Sequence, residues 1–176
     1  MENFSPDVLI SEEEIALRID ALAKAISDDF AGQELVVVCV LKGAFMFCSD
    51  LIKKIELPIN LEFIQVSSYG DGTTSSGSIE LKLDLTGSIA GKNVLMVEDI
   101  VDTGLTIKSL FEIMELRKPK SLKLASLLFK PDRNVHKMPI DYLGFEIEDK
   151  FVIGYGLDYA GRYRELPYVG VLNAGN

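Results

Sequence analysis

A chain of 176 residues can bury one proper hydrophobic core and has little room for a second, so a single domain over residues 1–176 is expected. Its 48% hydrophobic and 26% charged residues are ordinary for a globular protein, and a net charge of −9 offers no basic footprint for nucleic acid or an anionic membrane. No apolar run has membrane-spanning length, residues 1–7 lack an apolar signal core, and Cys39 and Cys48 lie in apolar runs without zinc-like spacing, which together predict a cytoplasmic protein with reduced, packed thiols.

Ser11-Glu12-Glu13-Glu14 has the form of a capping box: the serine takes an amide of the first turn and Glu14 reaches back. Ile15, Ile19, Leu22, Ala23 and Ile26 then recur at helical spacing, and Gly32 supplies a stop. Residues 35–41 are continuously apolar and mostly β-branched, which predicts a central strand covered on both faces. That run ends at Lys42-Gly43, and residues 44–55 read as the next helix. Residues 60–68 have the pattern of a strand, carried by Leu61, Phe63, Ile64 and Val66.

The composition then changes. Residues 69–77 are small, polar and glycine-rich, with nothing to bury. They read either as a solvated hairpin tip or as a lid that closes over an unstable intermediate and excludes water. Residues 79–85 alternate apolar side chains with Glu80, Lys82 and Asp84, a half-exposed strand returning from that excursion.

Residues 94–107 organise the rest. Val94 to Val97 is a buried-strand run; Glu98 and Asp99 fall where such a strand reaches its carboxyl end. Asp102 follows, then Thr103-Gly104-Leu105-Thr106, and residues 107–114 have helical spacing. In an open α/β sheet, ligands bind at the carboxyl ends of strands, where the next helix presents unpaired amides and its positive dipole end. Three carboxylates beside a phosphate would repel it. A divalent cation, or a ribose diol that occupies their lone pairs, removes the conflict, and a phosphorylated sugar with magnesium supplies both. The plainer alternative is that Asp102 or Thr103 caps the helix while Glu98 and Asp99 sit in a solvated loop.

Residues 122–129 form another apolar strand, ended by Lys130-Pro131, where a lysine commonly does no more than meet water. His136, the only histidine, lies in a polar stretch and is given no role. Residues 141–147 and 151–157 are the last strand candidates. Gly154-Tyr155-Gly156 fails as a dinucleotide fingerprint, because Tyr159 stands where the third glycine belongs and no helix follows. Alternating strands and helices favour an α/β fold with a mostly parallel sheet and helices on both faces, the chain ends folding over its working edge.

Glu98 to Thr106 resembles the phosphoribosyl-pyrophosphate signature of the type I phosphoribosyltransferases, and the motifs from Leu41 to Pro167 resemble their hypoxanthine-guanine branch. The resemblance implies that family's fold: a mostly parallel twisted sheet flanked by helices, a small hood from the chain ends and a flexible lid loop. It implies Mg2+-dependent transfer of 5-phosphoribosyl from phosphoribosyl pyrophosphate to hypoxanthine or guanine, a purine-salvage reaction giving IMP or GMP and pyrophosphate. It also implies a homo-oligomer, dimer or tetramer, and no nucleic-acid or membrane partner.

Residue by residue, the resemblance makes Lys42 and Gly43 the pyrophosphate loop, commonly entered through a cis peptide bond. Ser68 and Tyr69 would open the lid. Glu98 and Asp99 would face ribose and magnesium, with Asp158 helping to hold the metal. Asp102 would be the catalytic proton acceptor, and Thr103, Gly104, Leu105 and Thr106 the 5′-phosphate cradle. Leu105 departs from members that carry a basic residue there, which shifts the binding onto backbone amides and the two threonines. Lys130 would read the 6-oxo group, Phe151 would stack on the purine, and the Val152 backbone would pair with its edge. Arg164 would grip pyrophosphate; Arg162 is nearby but does not align. A lysine ammonium offers only donors, so it fits a 6-oxo purine and leaves adenine's amino group unpaired. Two other classes share parts of the pattern. A phosphoribosyl-pyrophosphate-sensing regulator is disfavoured by the acidic composition. A phosphoacceptor receiver domain has no use for the Thr103-Gly104 cradle or the lid.

Overall fold

In the computed structural model, residues 6–68 and 79–172 are described. The chain runs β1 (Asp7–Ile10), α1 (Glu12–Asp29), β2 (Leu35–Leu41), α2 (Phe45–Ile52), β3 (Ile59–Ser68), β4 (Ile79–Leu83), β5 (Asn93–Val101), α3 (Leu105–Glu115), β6 (Ser121–Phe129), β7 (Tyr142–Glu146), β8 (Val152–Ile153) and β9 (Val169–Val171). A 3-10 turn, Pro131–Arg133, follows β6.

Six strands form one sheet in the order β4-β3-β2-β5-β6-β7. Every neighbouring pair is parallel except β3 and β4. From β2 the chain crosses outward to β3, and from β5 it crosses the other way to β6. The order therefore reverses between β2 and β5, and at such a switch point the connections diverge and leave a crevice above the strand ends. Parity along the strands divides the core. Val37 and Cys39 of β2, with Leu95 and Val97 of β5, pack against α1 and α2. Val36, Val38 and Val40, with Val94 and Met96, pack against Ile107, Leu110 and Met114 of α3. Strands covered on both faces must be apolar at every position, which is why β2 and β5 read as unbroken hydrophobic runs. Each such side chain fully withdrawn from water contributes roughly 1.5–3 kcal/mol.

Helix α1 begins as the spacing predicts. Ser11 Oγ accepts the Glu14 amide at 3.2 Å, and Glu14 Oε2 accepts the Ser11 amide at 2.8 Å. Its five periodic apolar residues are all buried.

Several boundaries differ from the expectation. Helix α2 ends at Ile52 rather than at residue 55: the chain turns at Lys53, whose ammonium reaches back to Asp50 at 2.6 Å. Strand β4 stops at Leu83, where Asp84 accepts the Leu85 amide and pairs with Arg117. Strand β5 does not end before its acids but carries Glu98 and Asp99 within it. Only Val152–Ile153 of the expected strand over 151–157 is extended, because Gly154, Tyr155 and Gly156 all adopt positive φ and turn the chain. Strands β1 and β9 were not expected as strands. With β8 they form a separate three-stranded antiparallel sheet, order β1-β9-β8, whose Val152 and Val169 join the core on the α1 and α2 side. The glycine-rich stretch expected to be a tip or lid lies outside the described residues, as does Tyr69.

Candidate active site

The crevice at the switch point is built by β5. Its pairing with β2 stops at Cys39–Val97, while its pairing with β6 continues to Val101–Phe129. Glu98 and Asp99 thus sit on a strand that has lost one neighbour, and parity sends them to opposite faces. Glu98 lines a small hollow of about 90 Å³ shared with Asp102, Thr103, Gly104, Leu105 and Thr106. Asp99 lies on the other side against Gly43, where a Cβ would overlap the Asp99 carboxylate. Only glycine lets the loop after β2 come that close. The Leu41–Lys42 peptide at its entry is cis.

Glu98 is buried, and its carboxyl is held well above the usual glutamate range by that burial and then by the neighbouring Asp99 charge. A carboxyl pushed up in this way favours a proton or a cation beside it. The hard oxygen donors of Glu98 and Asp99 suit Mg2+, which is commonly held by one or two carboxylates with substrate phosphates completing its shell. Among the described residues no three acidic, histidine or cysteine side chains already converge as a metal-holding group. Asp158 shares a cavity with Asp99, pairs with Arg164 at 2.6 Å and accepts the Gly161 amide at 2.7 Å.

The loop from Asp102 to Thr106 feeds α3. Gly104 stands at the N-cap with φ 82° and has no side chain to cap with. Intrahelical bonding starts with the Lys108 amide donating to the Gly104 carbonyl at 3.0 Å, which leaves the Thr106 and Ile107 amides without intrahelical acceptors. Of the plainer alternative, only a long bond is present, the Leu105 amide donating to Thr103 Oγ1 at 3.4 Å; the Thr106 and Ile107 amides stay open to an anion.

A larger cavity, about 470 Å³, lies beside this hollow and is lined by Asp99, Asp102, Lys130, Arg133, Asp149, Phe151, Val152, Leu157 and Asp158. Lys130 does not meet water at the end of β6. It is 7% exposed, its amide donates to the Val101 carbonyl, and its ammonium donates to Asp149 at 3.2 Å. That hydrogen bond, set against a small burial cost, is the chief cause that holds the Asp149 carboxyl below the usual aspartate range. Phe151 is exposed, with its ring edge-on to Tyr159 at 5.7 Å, and leaves a flat apolar surface at the cavity. Val152 is buried and paired to β9. Asp102 Oδ1 lies 2.7 Å from Arg133 Nε in an ion pair that is off hydrogen-bond angle, and that oxygen is shielded from solvent.

The turn after β8 closes over the loop after β2. Gly156 sits so close to the Gly43 carbonyl that a Cβ there would overlap it, and the Gly156 carbonyl accepts from Arg164. Tyr155 pins the same turn to α2, its hydroxyl donating to Asp50 at 2.6 Å. Of the expected residues, Lys42, Gly43, Glu98, Asp99, Asp102 to Thr106, Lys130, Phe151, Val152, Asp158 and Arg164 gather around the carboxyl ends of β2, β5 and β6. Ser68 ends β3, and its side chain lies outside the description. Sequence reading missed Arg133, Asp149 and Tyr155. The signal available for the first two was charge beside known segments: a base three residues after Lys130 and an acid two before Phe151.

A hollow of similar volume, about 470 Å³, lies at the opposite, amino ends of β2, β3 and β5. Its buried Asn93 is already bonded to Gln33 and Ser121.

Residues 9–160 match the family model described as a phosphoribosyl transferase domain. The chain is 45% identical over 173 residues to a hypoxanthine phosphoribosyltransferase of Haemophilus influenzae, covering 97% of each chain. It is 46% identical to a bifunctional TilS/HprT protein of Listeria monocytogenes, where it matches over 98% of its own length but spans only 26% of that larger protein. Among solved structures, a hypoxanthine-guanine phosphoribosyltransferase from Bacillus anthracis superposes with a TM-score of 0.92 at 44% identity, covering 95% of this chain and 98% of that one.

Proposed function

The chain belongs to the phosphoribosyl transferase family, and from that premise we propose that it carries out purine salvage, moving 5-phosphoribosyl from phosphoribosyl pyrophosphate to hypoxanthine or guanine. One observation supports this above the others: a helix terminus with open amides lines a small hollow, a buried lysine lines the larger cavity, and the two adjoin at Asp102 at the switch point of the sheet. A phosphate and a carbonyl-bearing ring have complementary places there.

In the reaction a purine ring nitrogen forms a bond to the anomeric carbon as that carbon's bond to pyrophosphate oxygen breaks, and pyrophosphate leaves with the electron pair. Positive charge grows on the ribose ring and negative charge on the leaving group, and each needs a fixed partner. The open amides of Thr106 and Ile107, with the Thr103 and Thr106 hydroxyls, hold the 5′-phosphate. The Lys42-Gly43 amides and Arg164 take the pyrophosphate. Glu98 and Asp99 face the ribose and would hold Mg2+, which neutralises phosphate charge when bound. Asp158, paired with Arg164, would help to hold that cation. Asp102 takes or hydrogen-bonds the proton of the purine's imidazole ring; an ordinary aspartate is a weak base at neutral pH, so its charge contributes as much as its basicity.

Lys130 selects the base. Its ammonium donates to a 6-oxo group and finds no acceptor on adenine's amino group; each polar group left buried and unpaired costs about 1–3 kcal/mol. Phe151 stacks on the ring and the Val152 backbone meets its edge. The small β1-β9-β8 sheet acts as a hood. The enzyme works as one domain, a homo-oligomer in the cytoplasm. Its two buried free cysteines agree with that compartment, and among the described residues no helix is long and apolar enough to cross a membrane.

Purified protein with Mg2+, phosphoribosyl pyrophosphate and each purine in turn tests the reading. IMP and GMP should form, and AMP should not. Equal use of adenine, or no nucleotide at all, refutes it.

A further inference from the structure

Four charged side chains line one wall of the larger cavity in strict alternation of sign. Lys130 Nζ lies 3.2 Å from Asp149 Oδ1. The same carboxylate lies 3.4 Å from Arg133 Nη1, and Arg133 Nε lies 2.7 Å from Asp102 Oδ1. The four come from three separate pieces of chain. Asp102 follows β5, Lys130 and Arg133 bracket the 3-10 turn after β6, and Asp149 precedes the segment that carries Phe151 and Val152. We infer that Arg133 and Asp149 are positioning residues for base recognition, tying Lys130 and Asp102 into a single chain that sets their spacing. This rests on the purine-transfer reading above.

The chemistry of the two end groups explains why such a tie is useful. A 6-oxo purine presents its O6 acceptor and its imidazole nitrogen N7 side by side on one edge. Reading both at once needs a donor and an acceptor at fixed separation. A lysine ammonium is a point charge on a flexible stem with three rotatable donors, so left alone it fixes no direction. Asp149 takes one of those donors and leaves two for O6. Asp102 has two oxygens, and Arg133 engages Oδ1, leaving Oδ2 for the imidazole N–H. The guanidinium is planar and rigid, so Nε and Nη1, on different edges of one group, hold two carboxylates at a fixed spacing. The 3-10 turn makes this possible: the Arg133 amide donates to the Lys130 carbonyl at 3.2 Å, folding the arginine back over the lysine. Because Asp149 lies two residues before Phe151, the same tie also joins the reading groups to the stacking ring.

The test compares the wild type with R133Q, R133K, D149N and the double variant R133Q/D149N in the forward reaction, varying hypoxanthine and phosphoribosyl pyrophosphate separately and following thermal melting. Loss of one charged hydrogen-bond partner should raise the KM for hypoxanthine about tenfold in R133Q and D149N, with the KM for phosphoribosyl pyrophosphate within about twofold of wild type. R133K should recover part of the loss. The double variant should be about as impaired as the worse single, because both break the same chain. An unchanged KM for hypoxanthine overturns the inference. So does a parallel rise in both KM values with a lowered melting temperature, or a fully multiplicative double variant. Should R133Q fail to fold, D149N at the exposed carboxylate decides by the same criteria. A wild type that never converts hypoxanthine refutes the purine reading itself, and that result is seen before any variant is measured.

Discussion

The two ends of the site are made in different ways. On the proposed reading the phosphate end would be one contiguous stretch, Thr103 to Ile107, whose working groups are mostly the open amides of the first turn of α3. The base end is lined by side chains that follow β5 and β6 and precede β8, and its charges are balanced against one another across the cavity. Backbone groups would recognise what every substrate of the proposed reaction shares, the sugar phosphate. Side chains would recognise what differs, the base. Damage at one end should therefore be blind to the base, and damage at the other should depend on it.

The largest effect is expected at the phosphate end. Gly104 has φ 82°, and a Cβ there would stand 2.8 Å from Asn134 Oδ1. G104V forces a β-branched residue into a left-handed conformation, costing about 1–2 kcal/mol, and displaces the amides. Misplacement of a positioning group by an ångström commonly costs on the order of 100-fold in rate. Nucleotide synthesis from hypoxanthine and from guanine should fall together by at least that factor, as read by steady-state kcat/KM. Unequal losses would break the contrast. Lys130→Ala comes next. Removal of a charged donor should lower kcat/KM for hypoxanthine by roughly 10- to 100-fold while that for adenine stays low and flat, so that selectivity erodes. Selectivity that survives intact removes Lys130 from base choice.

A smaller change is expected where the hood meets the pyrophosphate loop. Tyr155→Phe deletes the hydrogen bond to Asp50 and loosens the turn that rests on Gly43. The KM for pyrophosphate in the reverse reaction should rise by about three- to tenfold, with the KM for the nucleotide's base portion unaffected. Ser11→Ala, far from either end, is the control. Loss of one cap costs about 1 kcal/mol, a drop of roughly 2–4 °C in melting temperature for a chain of this size, and kcat should not move.

The same division explains what could be read from residues alone. Contiguous features were legible: the capping box of α1, the apolar runs of β2 and β5, and the acids and glycine before α3 each declare themselves within a short window. The base end could be read only in part, since Lys130 and Phe151 were reached through resemblance while the Arg133 and Asp149 ties required three-dimensional proximity. Strands β1 and β9 were invisible for another reason. They hold four and three residues, too few to show a period, and their pairing joins Asp7 to Val171 across nearly the whole chain. The acids of β5 were read at the strand's carboxyl end, and the strand runs on through them. A charged residue inside a strand carries a cost, and here Glu98 bears it: it is buried and its carboxyl is pushed up. Asp158 shares the larger cavity with Asp99 and pairs with Arg164, six residues on, a contact no spacing rule supplies.

The pairing of β9 with both β1 and β8 has a consequence for how the molecule comes into being. During synthesis the open terminus of α3 can form once β6 has emerged and docked, long before the chain is finished. Strand β8, which presents Phe151 and Val152, has no partner until Val169 to Val171 has left the ribosome and found Asp7 to Ile10. On the proposed reading, a nascent chain would therefore complete the phosphate-facing helix end first and the Phe151–Val152 wall of the base cavity last.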